Sequence, residues 1–307
     1  MTRTAFIFNN HAGRGFNAEW LETNRAAIEA VAQKGPVTTV NDGDQIREAV
    51  KAALAQGCEA VVAGGGDGTL NAVASCLVGK PVVFGVMPLG TLNHFAKDLG
   101  VPLEPLEALQ CIAGGATVQV DVAEVNGHYF LNNSSIGLYV DVVRDREQQQ
   151  MRLGRGKWAA FAWALLRALR RYPFMTVRLK VDGRDHTHRT PFLFVGNNVY
   201  TTEGLQIGQR AGLSDGLLSI YVVDRASRWR LMVLGLRGLA GKLRQERDFR
   251  QMTASDLVVE TSRRSLHVAT DGETRRLDSP LHYKIHPGAL RVFVPAARAA
   301  PAQKATP

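Results

Sequence analysis

Little in this 307-residue chain supports a stapled, secreted or membrane-spanning protein. There are three cysteines, Cys58, Cys76 and Cys111, an odd number without the paired spacing of a zinc site. Reduced thiols in a cytosolic compartment are therefore expected. No apolar run reaches the ~18 residues of a membrane span. The opening MTRTAFIFNN lacks a basic segment followed by a long apolar core, which argues against a secretory leader. Zinc-finger, helix-turn-helix and aromatic ribonucleoprotein motifs are missing, so nucleic acid is not the expected partner. A Gly-Lys-Ser/Thr ending is missing too, which excludes a P-loop. There is no internal repeat and no Ser-His-Asp arrangement.

What is present is glycine in one place. Ala60-Val61-Val62-Ala63 reads as a buried strand, Gly64-Gly65-Gly66-Asp67-Gly68-Thr69 as a loop, and Leu70 to Val78 as a helix. Consecutive glycines bare backbone N–H groups, and a helix N-terminus adds partial positive charge, a combination that suits phosphate. Asp67 would repel a bare phosphate, so a divalent cation between carboxylate and phosphate is expected. The alternative is a tight turn whose glycines serve packing alone. Gly64-x-Gly66-x-x-Thr69 is an imperfect dinucleotide fingerprint, with threonine at its third glycine position.

A second strand and loop follow: Pro81 to Met87, then Pro88-Leu89-Gly90-Thr91-Leu92-Asn93-His94-Phe95-Ala96-Lys97-Asp98-Leu99-Gly100. The pair GGGDGTLN and PLGTLNHFAKDLG resembles the diacylglycerol kinase catalytic family, in particular its soluble bacterial lipid kinase branch. Sphingosine kinases are relatives, with NAD kinases and phosphofructokinases more distant. The resemblance runs from the first strand to about Val294.

The resemblance implies ATP and magnesium, and it assigns roles. Gly65, Gly66, Gly68, Thr69, Asn71 and Thr91 would bind nucleotide, with Asp67 organising magnesium. Where the family carries an Asn-Pro-x-Ser-Gly loop, this chain has Asn9-Asn10-His11-Ala12-Gly13, so Asn9 and Gly13 remain as nucleotide contacts. Thr39 falls at a further nucleotide position, though a strand-end threonine reads the same way. Gly212-Leu213-Ser214-Asp215-Gly216-Leu217 resembles a structural magnesium loop, with Asp215 and the carbonyls of Gly212 and Leu217 as ligands. Spacing alone also fits an Asp-Gly turn. Asp271-Gly272-Glu273 ends an alternating strand, and Glu273 matches the general base that takes the proton from the lipid hydroxyl. A hairpin turn with a solvated glutamate is the plainer reading of those residues. Asn93, His94, Asp121 and Asp271 would complete an active-site network. His94 stands where most of the family has aspartate, and sphingosine kinases also lack an acid there.

The balance of 37 Lys and Arg against 28 Asp and Glu gives a net charge of +9, which suits peripheral association with an anionic membrane. Lys157 to Arg171 and Arg228 to Arg247 mix aromatic and leucine residues with arginines. They read as interfacial helices or as ordinary domain helices with snorkelling arginines.

Alternating strands and helices over residues 1–121 predict a three-layer α/β domain with a parallel sheet. Short alternating segments over 122–295 predict an antiparallel, sandwich-like β domain, with the active site in the cleft between the two. Residues 296–307 read as a disordered tail. The expected activity is transfer of the γ-phosphoryl group of ATP to a lipid hydroxyl, diacylglycerol first and sphingoid lipids next. A kinase of a soluble substrate such as NAD, and a catalytically weak membrane-binding regulator, are the alternatives, with a homodimer left open.

Overall fold

A computed structural model describes residues 2–13, 16–137, 174–200, 210, 212–222 and 250–299. The two basic segments, 157–171 and 228–247, and residues 300–307 lie outside the described residues. Among the described residues no helix is long and apolar enough to cross a membrane.

The chain divides into two compact units, residues 1–122 with 286 onward and residues 123–285. In the first, β1 (Thr4–Asn9), α1 (Ala18–Ala32), β2 (Val37–Val40), α2 (Gly43–Ala55), β3 (Ala60–Gly65), α3 (Asp67–Leu77), β4 (Val83–Pro88), α4 (His94–Leu99) and α5 (Pro105–Ala113) follow in order. Strands β1, β3 and β4 are almost wholly buried, as strands covered on both faces must be. All pair in parallel in the order β2-β1-β3-β4. Side-chain caps start the first two helices: Asn17 accepts from Trp20 N at 2.7 Å and Asp42 from Gln45 N at 2.9 Å. Pro105 occupies the first turn of α5, where its missing N–H costs nothing. Phe6, Phe8, Ile28, Val62, Met87 and Ile112 share the core beneath α1 and α5.

The described residues of the second unit form β-strands and their connections. Its strands are β5 (Thr117–Val125, shared with the first unit), β6 (His128–Phe130), β7 (Asn133–Gly137), β8 (Met175–Val181), β9 (Arg184–Thr190), β10 (Phe192–Asn197), β11 (Leu218–Val222), β12 (Arg250–Ala254), β13 (Asp256–Thr261), β14 (Ser265–Thr270), β15 (Glu273–Asp278) and the first part of β16 (Leu281–Phe293). One antiparallel sheet runs β12-β11-β10-β7-β14-β15, and another β16-β13-β8-β9. Ile136, Val195, Ile220 and Val268 of one meet Val177, Leu179, Leu257 and Tyr283 of the other in a single core. That is the antiparallel sandwich expected from the alternating segments.

The division differs from the sequence expectation at its end. The second domain stops at 285 rather than 295, because the last part of β16 lies parallel to β4 (Arg291↔Val83, Val292↔Phe84) and Val294 N donates to Ala116 O at 3.0 Å. The chain then forms a short helix, α6 (Ala296–Ala299), where a disordered tail was expected. Strands β6 and β7 are separated by Leu131-Asn132.

Candidate active site

Three loops leave the carboxyl ends of β1, β3 and β4, and they are tied together by named contacts. Asn9, the last residue of β1, donates from Nδ2 to Thr69 Oγ1 at 2.9 Å, and its Oδ1 accepts His11 N at 2.9 Å. Gly13 N donates to Leu89 O at 2.8 Å, joining the first loop to the one after β4. Leu89 N in turn donates to Gly65 O at 3.0 Å. Gly66 and Gly90 approach so closely that a Cβ on Gly90 would stand 2.4 Å from Gly66 Cα. Only glycine permits that meeting of backbones.

The helix α3 starts at Asp67, three residues earlier than the sequence suggests, so Asp67, Gly68 and Thr69 form its first turn. Its N-cap, Gly66, supplies no side-chain acceptor. A bound anion is the natural partner for amides left in that way. Asp67 sits at this same end, and its Oδ1 accepts from Phe95 N at 3.3 Å in the first turn of α4. Asn71 is buried one turn further along α3.

Asn93 is buried, with φ of 51°, and closes the second loop on itself. Its Oδ1 accepts Gly90 N and its Nδ2 donates to Gly90 O, both at 2.9 Å. Thr91 and His94 are exposed, His94 as the first residue of α4. Thr39 lies one strand out, exposed on the edge strand β2 opposite Phe8.

Asp121 is 2 % exposed in β5, and its Oδ1 accepts Gly288 N at 2.8 Å. Gly288 has φ of 59° inside β16, and the carboxylate pairs its amide. That contact gives the buried Asp121 carboxylate one backbone partner.

In the second unit, Asp215 lies ahead of β11. A Cβ on Gly212 would fall 2.5 Å from Asp215 Oδ1, so the carboxylate folds over a space that only glycine leaves open. Asp215 N donates to Asn198 Oδ1 at 3.0 Å, and Asn198 N to Leu217 O at 3.0 Å, which holds the second half of the loop on one residue. The donors of this loop are all oxygen, which fits a hard cation such as magnesium. Among the described residues no three His, Cys, Asp or Glu side chains group for a metal, so a cation here would rely on backbone carbonyls.

Asp271 and Gly272 form the two-residue turn between β14 and β15, with φ of 48° and 88° as such a hairpin requires. Glu273 follows it with a side chain 53 % exposed, 2.8 Å from Arg275. Asp271 points elsewhere: its carboxylate accepts from Leu131 N at 2.7 Å, Asn132 N at 2.8 Å and Asn133 N at 3.1 Å. Burial pushes this carboxyl up, to about 6, against the pull of those amides and of Arg210. Arg210, Asn197 and Asn198 were not singled out from the sequence. The one available signal was the amide pair Asn197-Asn198 at the end of an apolar strand.

Residues 3–125 match the diacylglycerol kinase catalytic domain, and residues 134–294 the YegS C-terminal NAD kinase beta sandwich-like domain. A protein of Pseudomonas aeruginosa described as a probable lipid kinase YegS-like is 33 % identical over 286 residues, 90 % of each chain. One from Chromohalobacter salexigens with the same description is 30 % identical over 282 residues, 88 % of each. A crystal structure of a putative diacylglycerol kinase from Bacillus anthracis superposes with a TM-score of 0.75 at 22 % identity, covering 97 % of this chain and 98 % of that one.

Proposed function

Since the chain belongs to the diacylglycerol kinase catalytic family and carries its YegS-type second domain, we propose that it is an ATP-dependent lipid kinase. Its first expected acceptor is diacylglycerol, with phosphatidic acid as product. The observation that carries the reading is the junction of three loops around the start of α3, where glycine backbones, Asn9 and Thr69 meet beside Asp67.

Phosphoryl transfer asks mainly for positioning and charge neutralisation. The first-turn amides of α3 and the loops of Asn9, Gly13, Gly90 and Thr91 would seat the ATP phosphates. The acceptor oxygen attacks the γ-phosphorus, the bond to the bridging oxygen of ADP breaks, and the hydroxyl proton passes to Glu273. Magnesium, held through Asp67 at the nucleotide and by Asp215 with the carbonyls of Gly212 and Leu217 in the second unit, would neutralise phosphate charge and stiffen the loop respectively. Glu273 is exposed enough to meet an acceptor, beside its partner Arg275 at 2.8 Å. The net charge of +9 supports an anionic membrane as the surface on which the acceptor is met.

The test is transfer from radiolabelled ATP to a total lipid extract in anionic vesicles, resolved by chromatography. Label in phosphatidic acid supports the proposal. Label in a phosphorylated sphingoid base would change the acceptor, and label in a soluble product would replace the lipid reading.

A further inference from the structure

Three consecutive peptide units between β6 and β7 are gripped from both sides. On the amide side stands Asp271, accepting from Leu131, Asn132 and Asn133. On the carbonyl side, Leu131 O receives Arg210 Nη1 at 2.5 Å and Asn197 Nδ2 at 2.9 Å. Asn132 O receives Asn197 N and Tyr200 Oη, each at 2.9 Å. Arg210 also reaches Asn132 Oδ1 at 3.1 Å and Asn197 O at 3.3 Å. The last carbonyl, Asn133 O, takes Asp271 N at 2.9 Å.

The peptide dipoles of this segment thus lie between a carboxylate on their positive side and a guanidinium on their negative side, each charge oriented to stabilise them. Arg210 is only 8 % exposed. Burying such a charge to join two strands is costly, and apolar packing would do as well for stability alone. What the charges add is a single arrangement of the segment, and Asp271 carries that arrangement into the turn from which Glu273 emerges two residues later.

We infer that Arg210 is a positioning residue for the transfer step: it fixes the Leu131–Asn133 segment against which Asp271 sets the turn bearing Glu273. The inference rests on the assignment of Glu273 as the base. It predicts that Arg210 acts on the rate of transfer rather than on nucleotide binding, whose loops belong to the other unit.

The experiment compares wild type, Arg210→Met, Arg210→Lys, Asp271→Asn and the Arg210→Met/Asp271→Asn double variant. Steady-state kinetics with diacylglycerol vesicles and residue-resolved hydrogen exchange are the readouts. Arg210→Met should lower kcat about 10- to 100-fold, the scale of a misplaced reacting group, with KM for ATP changed less than about twofold. Arg210→Lys should recover part of the rate. The double variant should be no slower than the slower single variant, because both changes loosen one clasp. Exchange at the amides of residues 131–133 should rise in Arg210→Lys and Arg210→Met while strands β10 and β14 stay protected. Wild-type kcat in Arg210→Met, losses that multiply in the double variant, or unchanged exchange at 131–133 would each overturn the inference. If Arg210→Met does not fold, Arg210→Lys and its exchange pattern decide. An inactive wild type would sink the kinase reading instead, and the exchange experiment would still judge the clasp.

Discussion

Asn9 and Thr69, sixty residues apart, share a 2.9 Å hydrogen bond that ties the end of β1 to the first turn of α3. The bond orients the hydroxyl at the helix start and holds the first loop over it. Losing it should cost about 1 kcal/mol of nucleotide binding, the usual worth of such a bond. Asn9→Ala is therefore expected to weaken ATP about fivefold, measured by calorimetry, with the melting temperature little changed.

The Gly66–Gly90 contact makes a harsher prediction. An alanine at 90 would place its Cβ 2.4 Å from a backbone atom, and no rotamer relieves a backbone clash. The two loops must part. Gly90→Ala should destabilise the first unit by about 1 to 3 kcal/mol, as overpacking does, and abolish measurable ATP binding. Denaturant titration and calorimetry report the two effects separately.

Filling the space beside Asp215 tests the metal loop. Wild-type protein should gain thermal stability with added magnesium and lose that gain with a chelator, because a ligand that binds only the folded state stabilises it. Gly212→Ala, whose Cβ would meet Asp215 Oδ1 at 2.5 Å, should melt at one temperature with or without magnesium. An equal magnesium response in both proteins would remove this loop from the metal assignment.

Asp271 gives a pH dependence. Its carboxyl is raised by burial from 3.8 to about 6, so the fold binds its proton more tightly than the unfolded chain does. The stabilisation is fully present below about pH 4 and is lost as pH rises through about 6. The magnitude is on the order of 1 to 3 kcal/mol. Denaturant unfolding between pH 4 and 7 should show this slope in wild type. Asp271→Asn, which does not titrate, should lack it.

Much of the fold could be read from residues because local pattern and burial agree. Helix α1 ends at Ala32, where Gln33 and Lys34 turn to positive φ. Glycine misled at one point: Gly64 to Gly68 suggested a loop as far as Leu70, yet a glycine N-cap lets α3 begin at Asp67. Strand β16 runs through Pro287-Gly288, where Asp121 accepts Gly288 N. The polar strand β9, Arg184–Thr190, carries no apolar alternation to announce it. The loops after β3 and β4 were legible because only glycine fits where their backbones meet. The clasp of Arg210 and Asp271 was not, since its partners are backbone groups of residues 131–133, and backbone groups leave no mark in a sequence.

The central claim is that Glu273 takes the proton of a lipid hydroxyl. The measurement that meets it most directly is the rate of phosphate transfer from ATP to diacylglycerol vesicles by wild type and by Glu273→Gln, with ATP affinity measured on the same preparations. The account predicts transfer by wild type and a fall of at least ~100-fold in kcat for the variant, the scale of general base catalysis, at unchanged ATP affinity. Wild-type turnover in Glu273→Gln, or no transfer by the wild type, would contradict it.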